Sequence, residues 1–478
     1  MRQRQRPRAE SRLNENRFRS SRDVSQRQGA GPLAVASWAL FDWATQPFYT
    51  LVVTFLFAPY FVNGFVGDAD WGAALWAYAT GGAELLAAIV APALGAIADA
   101  GHPRKPWIAG FSVLLVLGLC GLWFALPGRT DLIPLVLLSF GLAIMGAELA
   151  TVFNNAMMTS LVLSRRLGTL SGAGWATGYV GGLISLAIVA GLIVADPDSG
   201  KTLLGLTPVV TLDEATREGD RLIGPFCALW FVVFVLPLFL FTPDTPRTRL
   251  EPEKTRAGLW QLAERVRRLV RDQPQVALFL LARMLYADGL GAIFAFGGIY
   301  AATVFGWGAT ELGLFGIILT ISGTIGAALG GLLDDRFGSK RLITTMLVVL
   351  IFASLGVLSV DQDQVLFVVG VVPKLPGSPA FSSTGELVYL GFAMLIGLTA
   401  GPIQSASRTL LARLSPPNKT TEFFGFFSFS GKITAFAAPL TIGAVTVATE
   451  SQRIGIATCL LYLLGGLSLL LRVKQPAR

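Results

Sequence analysis

Six charged side chains lie inside long apolar stretches of this sequence, away from the ends of those stretches. They are Asp42, Glu84, Glu148, Arg283, Asp288 and Lys432. An ionised group in an apolar environment tends to become neutral unless an opposite charge faces it. Because the set holds more acids than bases, it can form salt bridges and still leave a carboxylate that gains and releases a proton. These residue types therefore indicate ion-pair exchange with a solute and coupling to protons.

Polar side chains accompany two of these acids at helical spacing. Gln46 and Tyr49 follow Asp42 by four and seven residues, and Asn155 follows Glu148 by seven. On an α-helix this spacing places each set on one face, which could line the path of a polar or zwitterionic solute. Two alternatives stay open. Asp42 could reach towards the membrane surface, and the face of Glu148 could hydrogen-bond a neighbouring helix.

Charged residues of the second half of the chain extend the candidate site. Gln404 and Arg408 share a helical stripe, although Arg408 is close enough to a helix end to reach the membrane surface instead. We expect Arg283 to pair across helices with an acidic residue of the first half. Asp288 occupies the position in the second half that Asp42 occupies in the first. Both are therefore expected to flank a central pathway.

The composition is that of an integral membrane protein. Of the 478 residues 53% are hydrophobic and only 14% are charged, and the mean hydropathy is +0.61. The apolar runs are long and do not alternate, which indicates membrane-spanning helices rather than barrel strands. The predicted helices are 35–62, 73–98, 107–126, 132–156, 168–195, 222–242, 276–304, 311–333, 342–360, 387–411, 421–447 and 452–471.

The distribution of basic residues predicts the topology. Most of the 38 Lys and Arg residues fall in the tails and in loops on one side of the predicted helices. By the positive-inside rule that side is cytoplasmic, and so are both termini. We divide the chain into a disordered basic tail, a first six-helix bundle, a cytoplasmic linker with an amphipathic helix, a second six-helix bundle and a short tail, at 1–34, 35–242, 243–275, 276–472 and 473–478.

Several classes of function are disfavoured. The only histidine, His102, lies in a loop, so a multi-histidine metal site or a histidine-based triad in the membrane is not expected. The first 28 residues hold nine of the Arg residues, so the net charge of +8 resides largely in a tail and does not indicate nucleic-acid binding. No phosphate-binding Gly-rich loop is present, so we predict no cofactor and no metal, and an energy source in an ion gradient or in the solute's own gradient.

Two loops repeat the same pattern. GAIADAGHPRK begins at Gly95 and GLLDDRFGSKR at Gly331, and in each an Asp follows the Gly by four residues and precedes basic residues. An Asp at a helix end can hydrogen-bond basic side chains of a neighbouring helix and hold one side of the molecule closed. The predicted gate residues are Asp99, Arg104, Lys105, Asp335, Arg336, Lys340, Arg341 and Arg408.

These loops resemble the signature of the major facilitator superfamily. Longer blocks resemble one branch of it, the autophagy-associated vacuolar effluxer and its bacterial relatives. The blocks are SWALFDWATQPFY from Ser37, VFNNAMMTSL from Val152, LSGAGWATGYVGG from Leu170, LLARMLYADG from Leu280 and GPIQSASRTLLARLSPPNKTTEFFGFFSFSGK from Gly401. The resemblance implies an all-α membrane protein with twelve transmembrane helices in two pseudo-symmetric six-helix bundles, which acts as a secondary transporter.

The resemblance also implies a function. The expected activity is export of a small polar or zwitterionic, amino-acid-like solute by alternating access, with protons as a further partner. We expect a monomer in the inner membrane of a bacterium, in contact with membrane lipids. An exporter of lipids or amphiphilic drugs with the same fold is the alternative. A membrane-embedded enzyme is the remote one, because it would need a nucleophile or carboxylate pair with a base beside it.

Overall fold

The computed structural model describes residues 29–101, 103–195, 200–244, 262–374 and 378–474. The predicted N-terminal tail up to residue 28, the only histidine, the linker between 245 and 261, and the last four residues lie outside them. Predictions that concern those segments are therefore not addressed by the structure.

Twelve helices in the described part of the chain are long and apolar enough to cross a membrane, and one short helix lies in the linker. In chain order they are α1 Pro32–Val66, α2 Ala69–Asp99, α3 Lys105–Phe124, α4 Thr130–Leu161, α5 Ser164–Ile193, α6 Glu218–Phe241, α7 Leu262–Asp272, α8 Pro274–Phe305, α9 Thr310–Phe337, α10 Ser339–Leu358, α11 Thr384–Leu414, α12 Thr420–Thr449 and α13 Gln452–Arg472. A hairpin of β1 Gln364–Val365 and β2 Val369–Gly370 joins α10 to α11. The predicted all-α fold class is confirmed.

Several helices begin a few residues before their predicted starts, because polar caps precede the apolar runs. The Asp68 side chain accepts a hydrogen bond from the Trp71 backbone N–H and caps α2. Ser383 and Glu386 form a capping box at the start of α11. Such caps satisfy backbone N–H groups that the first helical turn leaves without partners.

The membrane helices form two halves that meet through equivalent contacts. The N-terminal half comprises α1 to α6 and the C-terminal half α8 to α13. Between the halves, α5 packs against α9, and α2 packs against α12. By the internal repeat α9 is the counterpart of α2, and α12 is the counterpart of α5. The two interfaces are thus related by the pseudo-symmetry, which is the arrangement expected of repeat-built transporters.

Both ends of the described chain lie at the same end of the bundle, here called the terminal end. The Ala30 backbone N–H donates to the Leu161 carbonyl at 2.7 Å, and the Lys474 backbone N–H donates to Gln275 Oε1 at 2.6 Å. At this end the halves approach closely. A Cβ on Gly168 would lie 2.8 Å from the Gly331 carbonyl oxygen, so only the absence of a side chain permits the contact.

Prolines interrupt two helices that line the interface. In α1, Pro47 cannot donate to the Trp43 carbonyl, which instead accepts a hydrogen bond from the Trp230 indole at 3.3 Å. The following residues Phe48–Phe55 are π-helical. In α12, Pro439 follows a turn at residues 433–436 that divides the helix in two. Both irregular segments lie beside the polar residues described next.

Candidate functional site

A cavity of about 410 Å³ lies between the two halves and is here called the central cavity. Its walls carry polar and charged side chains from both halves together with aromatic rings. Its lining residues include Asp42, Gln46, Tyr49, Glu148, Asn155, Trp175, Arg283, Gln404, Arg408, Phe424, Phe427 and Lys432. A smaller cavity of about 130 Å³ shares Gln46 and Tyr49 with it and extends along α1 and α5 away from the terminal end.

Arg408 crosses from the C-terminal half into the N-terminal half. It is buried, and its guanidinium donates to Asp42 Oδ2 at 3.1 Å, to Asn155 Oδ1 at 2.9 Å and to Ser171 Oγ at 2.9 Å. It also donates to the Ser171 carbonyl at 2.7 Å and lies 5.2 Å from the centre of the Trp38 ring. All of these partners belong to α1, α4 and α5. Arg408 therefore joins the halves inside the cavity and does not extend to the membrane surface.

Lys432 forms the second charged contact between the halves. Its Nζ lies 2.7 Å from Glu84 Oε1 and 3.1 Å from Glu148 Oε1. The Tyr49 hydroxyl donates to the same Glu148 oxygen at 3.0 Å. One lysine of α12 thus faces two carboxylates of the N-terminal half, so this side of the cavity carries an excess of negative charge.

Arg283 supplies positive charge without a carboxylate partner. Its Nη1 donates to the Phe427 carbonyl at 2.8 Å and to Ser430 Oγ at 3.2 Å, and its Cζ lies 3.5 Å from the centre of the Phe427 ring. Among the described residues, no Asp or Glu oxygen lies within 4.0 Å of it. The prediction that Arg283 pairs with an acid of the other half is wrong, because the backbone and ring of α12 occupy its surroundings instead.

The remaining predicted cavity residues divide into two groups. Gln46 and Gln404 line the central cavity, and Gln46 donates to Thr50 Oγ1 at 3.5 Å. Asp288 is buried but does not line it, although the preceding residue Ala287 does. The prediction that Asp42 and Asp288 both flank the pathway therefore fails for Asp288. The two carboxylates are equivalent in the repeat but not in their surroundings.

Asp335 holds the start of α5 at the terminal end. Its Oδ1 accepts the Gly168 backbone N–H at 2.8 Å, and its Oδ2 accepts both the backbone N–H of Thr169 at 2.8 Å and its hydroxyl at 2.6 Å. Arg413 bridges Asp334 and Asp335 at 2.6 and 3.2 Å. A carboxylate at a helix N-terminus meets free N–H groups and the positive end of the helix dipole.

The contact between α2 and α12 is related to this one by the repeat. Asp99 Oδ2 accepts the Glu422 backbone N–H at 2.8 Å, and Asp99 Oδ1 lies 3.7 Å from Arg104. Arg104 donates to Thr421 Oγ1 at 3.1 Å, and burial lowers the pKa of its guanidinium. Glu422 in turn pairs with Arg265 of the linker helix α7 at 2.8 Å. In both copies the Asp thus contacts backbone N–H groups at the start of a helix in the other half.

Residues 159–477 match the protein family described as "Vacuole effluxer Atg22 like", which is more than half of the chain. The chain belongs to this family. An uncharacterized MFS-type transporter of Bacillus subtilis, YxiO, is 25% identical over 443 residues, which cover 92% of this chain and 94% of the relative.

Autophagy-related protein 22 of Cryptococcus neoformans is 25% identical over 321 residues, which cover 65% of this chain and 53% of that relative. The match thus spans about half the length of this fungal Atg22 protein.

Two solved structures share the fold. The human organic anion transporter MFSD10 has a TM-score of 0.68 at 13% identity, covering 92% of this chain and 100% of that chain.

The fucose:proton symporter FucP of E. coli has a TM-score of 0.64 at 15% identity, covering 93% of this chain and 99% of that chain. The twelve-helix fold of this Atg22-like chain is therefore that of major facilitator transporters. Its relatives and structural neighbours are transporters rather than enzymes, so the protein is an MFS-type transporter.

Two of the predicted gate residues contact carbonyl groups of their own half in this Atg22-like chain. Lys105 donates to the Phe239 carbonyl at 3.0 Å, at the end of α6 in its own half. Lys340 donates to the Leu471 carbonyl at 2.8 Å, at the end of α13 in its own half. Arg341 is exposed, and Arg336 lies 5.3 Å from the ring of its neighbour Phe337. Lys105 and Lys340 thus cap helix C-termini, where carbonyl groups lack helical partners.

Sequence reasoning missed residues that hold the closed terminal end. They are Thr169, Ser171, Arg413, Thr421, Glu422 and Arg265. Most of them are short polar side chains or residues at the start of a helix. Such residues are common in any sequence and do not recur at helical spacing, so no pattern marks them as contacts between the halves. Arg413 was the residue that the sequence could most readily have indicated, because it is a second arginine, five residues after Arg408, at the end of the same helix.

Asp335→Asn is expected to slow transport several-fold with little change in unfolding temperature. The amide keeps the shape but loses the charge that faces the N-terminus of α5 and Arg413, which is a loss of about 1 to 3 kcal/mol from the closed state. Initial rates of solute flux in liposomes and the unfolding temperature measure the two effects. Asp131→Asn, at an exposed carboxylate near the opposite end, is the control, and unchanged rates in Asp335→Asn would contradict the role.

Proposed function

We propose that this protein exports a small zwitterionic, amino-acid-like solute by alternating access, and that the central cavity binds it. The observation that carries the proposal is the separation of charge in that cavity. Arg283 has no carboxylate within ion-pair distance in the part of the chain that the structure describes, while Lys432 faces both Glu84 and Glu148. A solute carboxylate near Arg283 and a solute ammonium group near Glu148 would balance both sites. Export rather than uptake is proposed because the family is described as effluxers.

The size and walls of the cavity support a solute of this class. Its volume of about 410 Å³ falls in the range of about 300 to 1,000 Å³ that is usual for small-molecule sites. Trp175, Phe424 and Phe427 offer apolar and aromatic surface for a side chain of the solute. A lipid or drug exporter would not require groups of opposite charge in one cavity, so the charge pattern favours the polar solute.

The closed terminal end supports the proposed mechanism. Contacts of Asp99, Asp335 and Arg408 join the halves at or near that end, while the smaller cavity continues the central one towards the opposite end. If the basic tails and loops are cytoplasmic, this is the state that releases an exported solute outside. Breaking these contacts and forming new ones at the opposite end would expose the cavity to the cytoplasm. We place the protein in a bacterial plasma membrane by analogy with the Bacillus relative.

Binding of zwitterions is expected to raise the unfolding temperature of the purified protein. A ligand that binds only the folded state stabilises it by mass action. Free amino acids should therefore shift the transition, whereas their N-acetyl derivatives and methyl esters, which lack one charge each, should bind more weakly and give much smaller shifts at the same concentration. Shifts with lipids or amphiphiles and none with any amino acid would contradict the proposal and favour the alternative exporter.

Arg283→Gln tests the assignment of the carboxylate site. Loss of a buried charge partner should weaken binding of the most effective amino acid by at least ~30-fold, equal to about 2 kcal/mol. The control is Arg129→Gln, which removes an exposed arginine near the opposite end. Binding of the methyl ester should change little in Arg283→Gln, because the ester has no carboxylate to lose. Equal weakening of acid and ester would contradict the assignment.

A further inference from the structure

Asp288 is a buried carboxylate that the central cavity does not use. It is 6% exposed, and its Oδ2 has no hydrogen-bond partner among the described residues. No Arg or Lys nitrogen of the described residues lies within 4.0 Å of it. An ionised carboxylate buried without a partner is costly, and the usual outcome is that it takes up a proton.

The break in α12 lies beside this carboxylate. Thr434 lies close to Asp288, and its hydroxyl is also buried with no hydrogen-bond partner among the described residues. Around it the backbone forms short i to i−3 bonds, from the Ala435 N–H to the Lys432 carbonyl at 3.2 Å and from the Ala437 N–H to the Thr434 carbonyl at 2.7 Å. Pro439 explains the break, because its ring cannot donate to the Ala435 carbonyl four residues earlier.

The titratable groups on the helices around Asp288 all have other partners or are neutral. On its own helix, Arg283 contacts Phe427 and Ser430, and Tyr286 hydrogen-bonds Ser407 of α11. Lys432 of α12 faces Glu84 and Glu148. On α13, Tyr462 hydrogen-bonds Thr441 at 2.8 Å, and Cys459 is a free thiol. None of them supplies a counter-ion within ion-pair distance of Asp288; the nearest positive charge that acts on it is that of Arg283, five residues earlier on the same helix.

We infer that Asp288 holds a proton while the terminal end is closed, at a site separate from the solute cavity. The Asp288 carboxyl and the Thr434 hydroxyl are not hydrogen-bonded in this structure; a rotation of either side chain would let the carboxyl O–H donate to that hydroxyl, which would satisfy both groups. Release leaves a carboxylate on Asp288 and delivers the proton to water, so no other reactant is needed. The carboxylate becomes tolerable only when the surroundings change to admit water or a cation.

The broken segment of α12 is the element that connects the two sites. Lys432, at the end of the first half of α12, contacts the carboxylates of the solute cavity, and Thr434 lies only two residues further on. A displacement of this turn that separates Lys432 from Glu84 would also move Thr434 away from Asp288. This coupling of proton release to the solute site rests on the proposed function, whereas the protonation of Asp288 does not.

Infrared spectroscopy of the full-length protein in lipid bilayers tests the protonation without any solute. A protonated carboxyl group has a C=O stretching band distinct from that of a carboxylate. We expect this band in the wild type at neutral pH and its loss in Asp288→Asn. Asp42→Asn, the same substitution at a carboxylate paired with Arg408, should leave the band unchanged. A wild-type spectrum without the band, or an Asp288→Asn spectrum that keeps it in full, would overturn the inference.

Two further measurements complete the test. If Asp288→Asn does not fold, Asp288→Glu provides the readout, since the band should then shift rather than vanish. Addition of Na⁺ at constant pH should leave the wild-type band in place, and its loss would mean that the site binds a metal cation instead of a proton. Because neither measurement involves transport, failure of the solute proposal would leave this result unaffected.

Discussion

Arg408→Gln is expected to open the terminal end and to reduce transport by more than tenfold. In the closed state Arg408 donates to Asp42, Asn155 and Ser171, all across the boundary between the halves. Glutamine is too short to reach these groups and carries no charge. Asp42 would then be a carboxylate without a counter-ion in a partly buried site. Removing one member of a buried ion pair costs about 3 to 5 kcal/mol.

That cost applies mainly to the closed state, because opening of the terminal end gives Asp42 access to water. The equilibrium between the two states should therefore shift by about two to three orders of magnitude, since about 1.4 kcal/mol corresponds to a factor of ten. Hydrogen exchange measures the shift directly. The backbone N–H groups of Gly168 and Thr169 donate to Asp335 only when the terminal end is closed, so they should exchange at least tenfold faster in Arg408→Gln.

Arg341→Gln is the matched control, because Arg341 is an exposed arginine on the terminal side of the neighbouring helix α10. In Arg341→Gln the backbone N–H groups of Gly168 and Thr169 should exchange at the wild-type rates. The double variant Asp42→Asn/Arg408→Gln removes both charges of the pair and should recover part of the protection, as a double-mutant cycle requires of interacting groups. If Arg408→Gln leaves the exchange of Gly168 and Thr169 unchanged, Arg408 does not hold the halves together.

The position of Arg408 illustrates what the sequence could predict and what it could not. Its spacing from Gln404 correctly indicated a shared helical stripe, and both line the central cavity. The predicted helix ended at residue 411, whereas α11 continues to Leu414, so Arg408 lies one turn deeper than expected. Whether its guanidinium turns to water or across the interface depends on Asp42 and Ser171 of other helices. Such long-range contacts leave no local pattern.

The fold was more predictable than the site for a physical reason. Membrane crossing requires about 20 apolar residues in a row, and this constraint leaves a pattern in each of the twelve segments. The pairing of charges obeys no comparable local rule. Lys432 was predicted to belong to a polar network and does pair with acids, but Arg283 was expected to do the same and instead contacts the backbone and ring of Phe427. Only the packing of α8 against α12 decides between these outcomes.

The internal repeat had the same strengths and limits. It correctly related the loops of Asp99 and Asp335, which both contact the start of a helix in the other half. It also suggested that Asp42 and Asp288 have equivalent roles. The two positions diverge because Arg408 from α11 reaches Asp42, while Asp288 faces Thr434 at the break of α12. Pseudo-symmetry conserves the path of the backbone, whereas the partners of a side chain depend on residues that differ between the halves.

Lys432→Gln is expected to abolish transport and to destabilise the closed state by about 3 to 5 kcal/mol, as the loss of one buried ion-pair member does. The substitution would leave Glu84 and Glu148, which now share the Lys432 ammonium group, facing each other without a cation. The Tyr49 hydroxyl can satisfy one oxygen of Glu148 but supplies no positive charge. Lys419→Gln, at an exposed lysine just before the same helix, is the control and should behave like the wild type.

The double variant Glu84→Gln/Lys432→Gln separates the structural effect from the transport effect. It leaves Glu148 as the single carboxylate with Tyr49 beside it, so most of the lost stability should return. Transport should not return, because the charge exchange in which a solute ammonium group displaces Lys432 from Glu148 is no longer possible. The unfolding temperature and the flux of the most effective amino acid in liposomes measure these two outcomes. Recovery of both stability and transport in the double variant would mean that Lys432 only neutralises Glu84 and has no part in the transport cycle.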